Sequence, residues 1–297
     1  MIESFLPTTR SLLLVVISFL PFGAHPAVTK LDVLGITGTD NRVMEDSRGY
    51  PWSAIGRLNI TTGGFCTATV IAPRRVLTAA HCLWNRRTGR WFPPCALHFL
   101  AAYRRGEYAV HALVSEIQVA PAYEPTRRVP DGDWAVLTLD RDVSASTGVV
   151  PLYGANRPVP DRWIQAGYSR DRRHVLTVDP SCRRTGRSAD GRVVSHDCDA
   201  TFGDSGSPLL VRVGDVLQLV AVHVAVRGRG ERASGIAVSY RAFKDWIEEN
   251  PPTRPPGGVK ACWHQRLPDP GRESSLALLP ARPGARAGRR AHVMRAS

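Results

Sequence analysis

Three short segments carry residue types suited to acyl transfer. Leu77-Thr78-Ala79-Ala80-His81-Cys82 sets a histidine after an apolar run and beside a cysteine, with Cys66 upstream. A lone histidine is usually structural. Here a Cys66–Cys82 bridge would pin the turn that bears it, and a general base has to be held rigidly. Asp131-Gly132-Asp133-Trp134-Ala135-Val136-Leu137-Thr138-Leu139 opens an apolar strand with a carboxylate. Asp131 suits the turn. Asp133, directly against the apolar run, suits burial, where a carboxylate can orient an imidazole and stabilise its charged form. Gly203-Asp204-Ser205-Gly206-Ser207-Pro208 runs into the strand-like Leu209–Val213. A nucleophilic serine needs an exposed hydroxyl and close backbone approach by its substrate, and flanking glycines permit both. The N–H groups of Gly203 and Ser205 could form an oxyanion hole, each donor worth about 3 kcal/mol in the transition state. In this chemistry Ser205 attacks a carbonyl, His81 takes its proton, and water hydrolyses the acyl-enzyme. It calls for no metal and no organic cofactor.

These residues need a scaffold, and the segments around them read as short strands. Trp52–Ile60, Cys66–Ile71, Leu97–Tyr103, Tyr108–Val119, Trp134–Leu139, Val193–Cys198, Pro208–Val213, Val216–Val226 and Gly235–Ser239 are rich in β-branched residues. Gly, Pro, Asp or Asn punctuate them, which predicts an all-β barrel or sandwich. One helix is expected over Tyr240–Asn250, where Phe243, Trp246 and Ile247 share a face and Pro251-Pro252 stop it. Residues 28–42 read as a propeptide or an extended arm, residues 43–250 as the domain, and residues 251–297 as a Pro- and Arg-rich tail, mostly disordered.

The bulk properties fit an exported globular chain. Of 297 residues, 43% are hydrophobic, enough for a sizeable core. The formal net charge is +13, of which the tail beyond residue 250 carries +7. No compact basic run with interleaved aromatics is present, so the expectation is a basic soluble surface and no nucleic-acid partner. Arg10, the apolar run Ser11 to Phe22 and small residues at Gly23, Ala24 and Ala27 make residues 1–27 a secretory signal, too short to span a bilayer comfortably. The mature chain is therefore expected to be secreted, with no stable membrane association. Six cysteines in an exported chain favour disulfides, and no C-x-x-C pair suggests a zinc site. After Cys66–Cys82, Cys182–Cys198 is the next pairing expected, leaving Cys95 and Cys262.

The order His81, Asp133, Ser205 is that of the chymotrypsin-type triad. Phe65-Cys66, Thr78-Ala79-Ala80-His81-Cys82, Asp133-Trp134-Ala135-Val136-Leu137 and Gly203-Asp204-Ser205-Gly206 resemble the signatures of trypsin-like serine proteases. The resemblance covers roughly residues 40–250. It implies two six-stranded antiparallel β-barrels with the active site between them, a C-terminal helix packed outside, and polypeptide substrates. Ser207-Pro208, Asp40-Asn41-Arg42 before Tyr50-Pro51-Trp52, and Cys198-Asp199 look most similar to the bacterial branch that includes the glutamyl endopeptidases. Arg42-Val43 invites a trypsin-type activation cut, whose new amine would pair with Asp204; the short run from Val43 to Pro51-Trp52 argues against it.

The same resemblance leaves the preferred residue before the cut open. Asp199, six residues before Ser205, stands where trypsins carry the floor of a pocket for Arg or Lys, but Cys198 anchors the loop differently. His223 stands in the strand where glutamyl endopeptidases use a histidine to bind an acidic side chain, and imidazole can donate to a carboxylate. Its other reading is a core histidine. Two rivals to proteolysis are a catalytically silent protease-fold binding protein and an esterase for small acyl groups.

Overall fold

A computed structural model describes residues 34–251 apart from 128, 155–157 and 229. The expected signal segment, Cys262 and the tail beyond Pro251 lie outside the described residues. The strands in chain order are β1 Val43–Glu45, β2 Ile55–Ile60, β3 Phe65–Ala72, β4 Arg75–Thr78, β5 Trp84–Asn85, β6 Arg90–Trp91, β7 Leu97–Ala101 and β8 Val110–Val119. They continue with β9 Ala135–Leu139, β10 Arg162–Gly167, β11 Leu176–Arg187, β12 Val193–His196, β13 Pro208–Val213, β14 Val216–Arg227 and β15 Ser234–Ser239. Two short helices, α1 Ser144–Thr147 and α2 Lys244–Glu249, complete the set.

The strands close into two antiparallel barrels, as the family resemblance implied. The first runs β2-β3-β4-β9-β8-β7. The second runs β11-β10-β13-β14-β15-β12 and is closed by β11–β12 pairing, with β1 added on the outer side of β11. Closure removes the sheet edges that would otherwise stay unpaired. Alternation fills each barrel: Leu58, Ala68, Val70, Val76 and Phe99 are fully buried in the first, Leu209, Val211 and Ala221 in the second. In the second barrel, β10 and β11 were not among the strands read from the sequence. β11 contains Pro180 and a run of arginines, a pattern that argues against a strand. Pro180 is accommodated where the β10–β11 register shifts, between Trp163↔Cys182 and Gln165↔Asp179, so no ladder bond needs its missing N–H.

The predicted helix is shorter than expected. Tyr240–Ala242 form a 3-10 turn and α2 ends at Asn250, whose N–H donates to the Trp246 carbonyl at 3.0 Å. Its apolar face meets the first barrel: Trp134 lies 5.9 Å from Phe243 and 5.2 Å from Trp246 between ring centroids. Arg75 donates to the Ile247 carbonyl at 3.1 Å. Trp134 follows Asp133 directly, so α2 braces the corner that carries the carboxylate. No helix among the described residues is long and apolar enough to cross a membrane.

Candidate active site

His81 sits in a 3-10 turn, Ala80–Leu83, that leaves β4. A disulfide from Cys82 to Cys66 on β3 fastens this turn to the barrel wall. Asp133 ends the turn Pro130–Gly132 and precedes β9, which pairs with β4 through Thr78↔Ala135. That register brings the two side chains together across 52 residues of sequence. Asp133 Oδ1 accepts from the His81 backbone N–H at 2.8 Å, and Oδ2 lies 2.8 Å from His81 Nδ1. One carboxylate thus holds both the main chain and the ring. Nδ1 donates to Oδ2, which leaves Nε2 as the acceptor in the neutral ring. Asp131 lies in the turn, as its type suggested, and faces Arg192 of the second barrel at 3.7 Å.

Ser205 arrives from the second barrel, in the loop between β12 and β13. Its carbonyl accepts from Thr67 N–H at 2.9 Å, and Cys82 Sγ lies 3.9 Å from the same oxygen. The serine is therefore packed beside the residue that follows His81. Thr67, which the sequence reading passed over, ties the barrels together at this point. Its hydroxyl donates to the Gly203 carbonyl at 3.1 Å and accepts from Tyr168 N–H at 2.9 Å. The two glycines flanking Ser205 are required by space. At Gly206, φ is +86° and a Cβ would fall 2.1 Å from the Thr67 carbonyl oxygen; at Gly203, φ is +97° and it would fall 2.4 Å from that of Tyr168. Within this loop the N–H groups of Asp204, Gly206 and Ser207 donate to Thr201, His223 and Asp204 carbonyls. Those of Gly203 and Ser205 have no acceptor among the described residues.

Asp204 is fully buried. Its Oδ2 accepts from Ser169 Oγ at 2.7 Å and Thr201 N–H at 2.8 Å, while Oδ1 has no hydrogen-bond partner. Burial pushes its pKa up to about 6, against the pull of these hydrogen bonds and of Arg42. A cleft of about 180 Å³ opens beside His81 and Asp133, lined by Trp84 and Tyr123 from the first barrel and Val224 from the second. The compact group Cys66, His81 and Cys82 is the one His/Cys/Asp/Glu cluster of metal-binding dimensions among the described residues. Both its sulfurs are spent in the disulfide, which leaves a single nitrogen.

The two candidate specificity residues have different surroundings. His223, on β14, is bonded to the serine turn from both sides: Gly206 N–H donates to its carbonyl at 2.8 Å and its own N–H donates to the Ser207 carbonyl at 2.9 Å. Its ring Nδ1 lies 3.0 Å from Nε2 of His196, a residue that sequence reasoning missed. His196 Nδ1 in turn accepts from Cys198 N–H at 3.2 Å. That bond fixes the tautomers of two neutral rings. His196 must carry its proton on Nε2 and give it to His223 Nδ1, so His223 must carry its own on Nε2. Burial, reinforced by His81 nearby, pushes the His223 pKa down to about 3; burial and His223 hold His196 well below the usual range. The fit is tight. Gly235 faces His196 across the β12–β15 ladder, and a Cβ there would fall 2.0 Å from the imidazole.

Asp199 is not a free pocket carboxylate. It is fully buried, and its two oxygens accept from Thr37 N–H and Asn41 N–H, both at 2.7 Å. Burial raises its pKa, against the effect of these two donors. The expected Cys182–Cys198 bridge is present and anchors the segment from His196 to Asp199. Cys95 forms no bridge among the described residues, and its remaining candidate, Cys262, lies outside them.

The sequence matches the family described as Trypsin over residues 41–247. The chain belongs to the trypsin family. It is a serine endopeptidase, a hydrolase of peptide bonds. Human transmembrane protease serine 5 is 28% identical over 229 residues, 67% of this chain and 49% of that protein, so the chain spans about half its length. The thrombin-like enzyme acutin of Deinagkistrodon acutus is 26% identical over 212 residues, 64% of this chain and 86% of its own. Alkaline trypsin A of Manduca sexta is 26% identical over 216 residues, covering 62% and 78%. Among solved structures, a Glu endopeptidase in complex with MPD superposes with a TM-score of 0.61 at 22% identity, over 72% of this chain and 98% of that one. The thermostable serine protease AL20 gives 0.55 at 18%, over 67% and 98%. Both likenesses concern the fold.

Proposed function

We propose that Ser205 is the nucleophile, His81 the general base and Asp133 the carboxylate that orients it, in a secreted endopeptidase that cleaves after acidic residues. The observation that supports the catalytic roles is the double grip of Asp133 on His81. It fixes the tautomer with Nε2 free to accept the Ser205 proton, and it stabilises the imidazolium that results. Ser205 Oγ then bonds to the substrate carbonyl carbon, whose oxygen takes up negative charge between the N–H groups of Gly203 and Ser205. Collapse of that adduct breaks the C–N bond, and His81 returns its proton to the leaving amine. Water repeats the sequence on the acyl-enzyme with the same base.

The acidic preference rests on the histidine pair. The Cys198→His196→His223 chain leaves an N–H donor on His223 Nε2, on the strand bonded to the serine turn. A substrate carboxylate is the acceptor that suits it. Asp199, the residue that would favour Arg or Lys, spends both oxygens on backbone N–H groups. Export is supported by the signal-like first 27 residues and by two disulfides within the described residues. The test is digestion of a mixed peptide library, with bonds scored by mass spectrometry. Cuts after Glu and Asp are expected; cuts confined to Arg and Lys, or spread without regard to charge, would refute the pocket assignment. Turnover of matched ester substrates without any cut in the peptide library would favour the esterase, and no turnover of either by folded protein the silent binding protein.

A further inference from the structure

The stretch ahead of β1 is built into the second barrel. The Gly35 carbonyl accepts from Ala200 N–H at 3.0 Å. Gly35 has φ +89°, and a Cβ there would fall 1.8 Å from the Ala200 carbonyl oxygen and 2.8 Å from Val226 Cγ1. The approach is too close for any side chain. Ile36 is buried, and Thr37 and Asn41 grip the two oxygens of Asp199. Residues 35–41 thus close over the segment five and six residues before Ser205.

Arg42 ends this stretch with its side chain 1% exposed. Its guanidinium donates to Asp40 Oδ1 and Oδ2, each at 3.0 Å, and to Asp171 Oδ1 and Oδ2 at 3.1 and 2.8 Å. Its carbonyl accepts from Arg172 at 2.8 Å, and Arg172 also donates to Asp40 Oδ2 at 2.7 Å. The cluster holds two positive and two negative groups, and the Arg42 charge acts on buried Asp204 next to the nucleophile. A protease cutting Arg42-Val43 needs the arginine side chain and its carbonyl exposed. Here both are engaged, and Val43 is paired with Val178 in β1.

We propose that residues 34–42 remain in the working enzyme, and that Arg42 is a positioning residue for the Asp199–Ser205 segment, standing in for the new amino terminus that a cut at Arg42-Val43 would create. This rests on Ser205 being the nucleophile. Two measurements test it on the full chain expressed for export. In the first, active enzyme is labelled with a serine-directed phosphonate and the labelled molecules are sequenced from the N-terminus. Labelled chains are expected to start at or before Leu34 with the Arg42-Val43 bond intact. Labelled chains that start at Val43 would overturn the proposal alone. Folded wild type that takes no label would overturn the serine reading, and this proposal with it.

The second measurement is active-site titration per folded molecule for Arg42→Gln and Arg42→Lys, with folding followed by circular dichroism. Arg42→Gln is expected to lower the titratable fraction at least fivefold while the molecules that still titrate keep wild-type KM, and Arg42→Lys to restore at least half of it. A merely structural arginine would lower melting temperature yet leave every folded molecule titratable, and that result would refute the positioning role. Should Arg42→Gln fail to fold, Asp171→Asn removes one partner of the arginine at a partly exposed site. A loss of titratable sites of about half is expected there, and an undiminished count would refute the role.

Discussion

Replacing His223 with leucine removes one N–H donor and keeps an apolar side chain in a site that is 2% exposed. If His223 Nε2 binds the carboxylate of the residue before the cut, the variant loses one hydrogen bond to a charged group, worth about 1.5–3 kcal/mol. At about 1.4 kcal/mol per decade this is roughly 10- to 150-fold in kcat/KM. The loss should fall on acidic substrates alone. The assay compares two peptides that differ only in Glu or Gln before the scissile bond. Their ratio cancels every catalytic step the two peptides share. The Glu/Gln ratio should collapse by that factor while the Gln peptide keeps its rate within a few-fold. The variant also strands the His196 Nε2–H, costing about 1–3 kcal/mol of stability, so it is assayed below its own melting temperature. For the wild type the same ratio should be flat from about pH 6 to 9, because burial holds His223 neutral with a pKa of about 3. An unchanged ratio in folded His223→Leu would refute the reasoning.

Further expectations follow from the geometry. Asp133→Asn keeps the shape of the corner but cannot hold His81 in the same tautomer, so kcat should fall on the order of 10⁴-fold with KM little changed. Asp204 has a folded pKa of about 6 against 3.8 unfolded, so the folded state binds the extra proton. Its contribution is fully present below pH 3.8 and is lost as pH rises through 6, a swing of about 3 kcal/mol. The unfolding free energy of wild type relative to Asp204→Asn should fall by that amount across this window in urea titrations. Trp134→Ala removes the 1%-exposed ring that α2 braces and should cost about 3–5 kcal/mol in thermal unfolding. Cys182→Ala with Cys198→Ala opens a loop of 16 residues and should cost about 3 kcal/mol, with Glu preference weakened as the His196 anchor loosens.

The residues with local signatures were legible in the sequence. His81, Asp133 and Ser205 each sit in a motif whose apolar strand and glycines announce the scaffold around them; the structure joins His81 to Asp133 and packs the Ser205 main chain against Thr67 and Cys82. The Cys66–Cys82 pairing was legible because its mechanical sense is local. Residues defined by register were not. His196 meets His223 only because β12 and β14 both pair with β15, and nothing in Val193–His196 singles it out. Thr67 looks like any β-branched strand residue until its hydroxyl is seen between Gly203 and Tyr168. Asp199 suggested a pocket for basic side chains through its place in the trypsin resemblance; its actual partners were not legible because they lie 158 and 162 residues upstream, in a segment without periodicity. β11 was hidden by Pro180 and its arginines, which a register shift and an outward face accommodate.

The central claim is that Ser205 carries the acyl group. The most direct measurement is digestion of one peptide library by the purified wild type and by Ser205→Ala, with intact mass of each protein recorded after exposure to a serine-directed phosphonate. The account predicts cleavage and a single adduct for the wild type, and neither for the variant. Equal cleavage by both proteins, or an adduct that persists on Ser205→Ala, would contradict it.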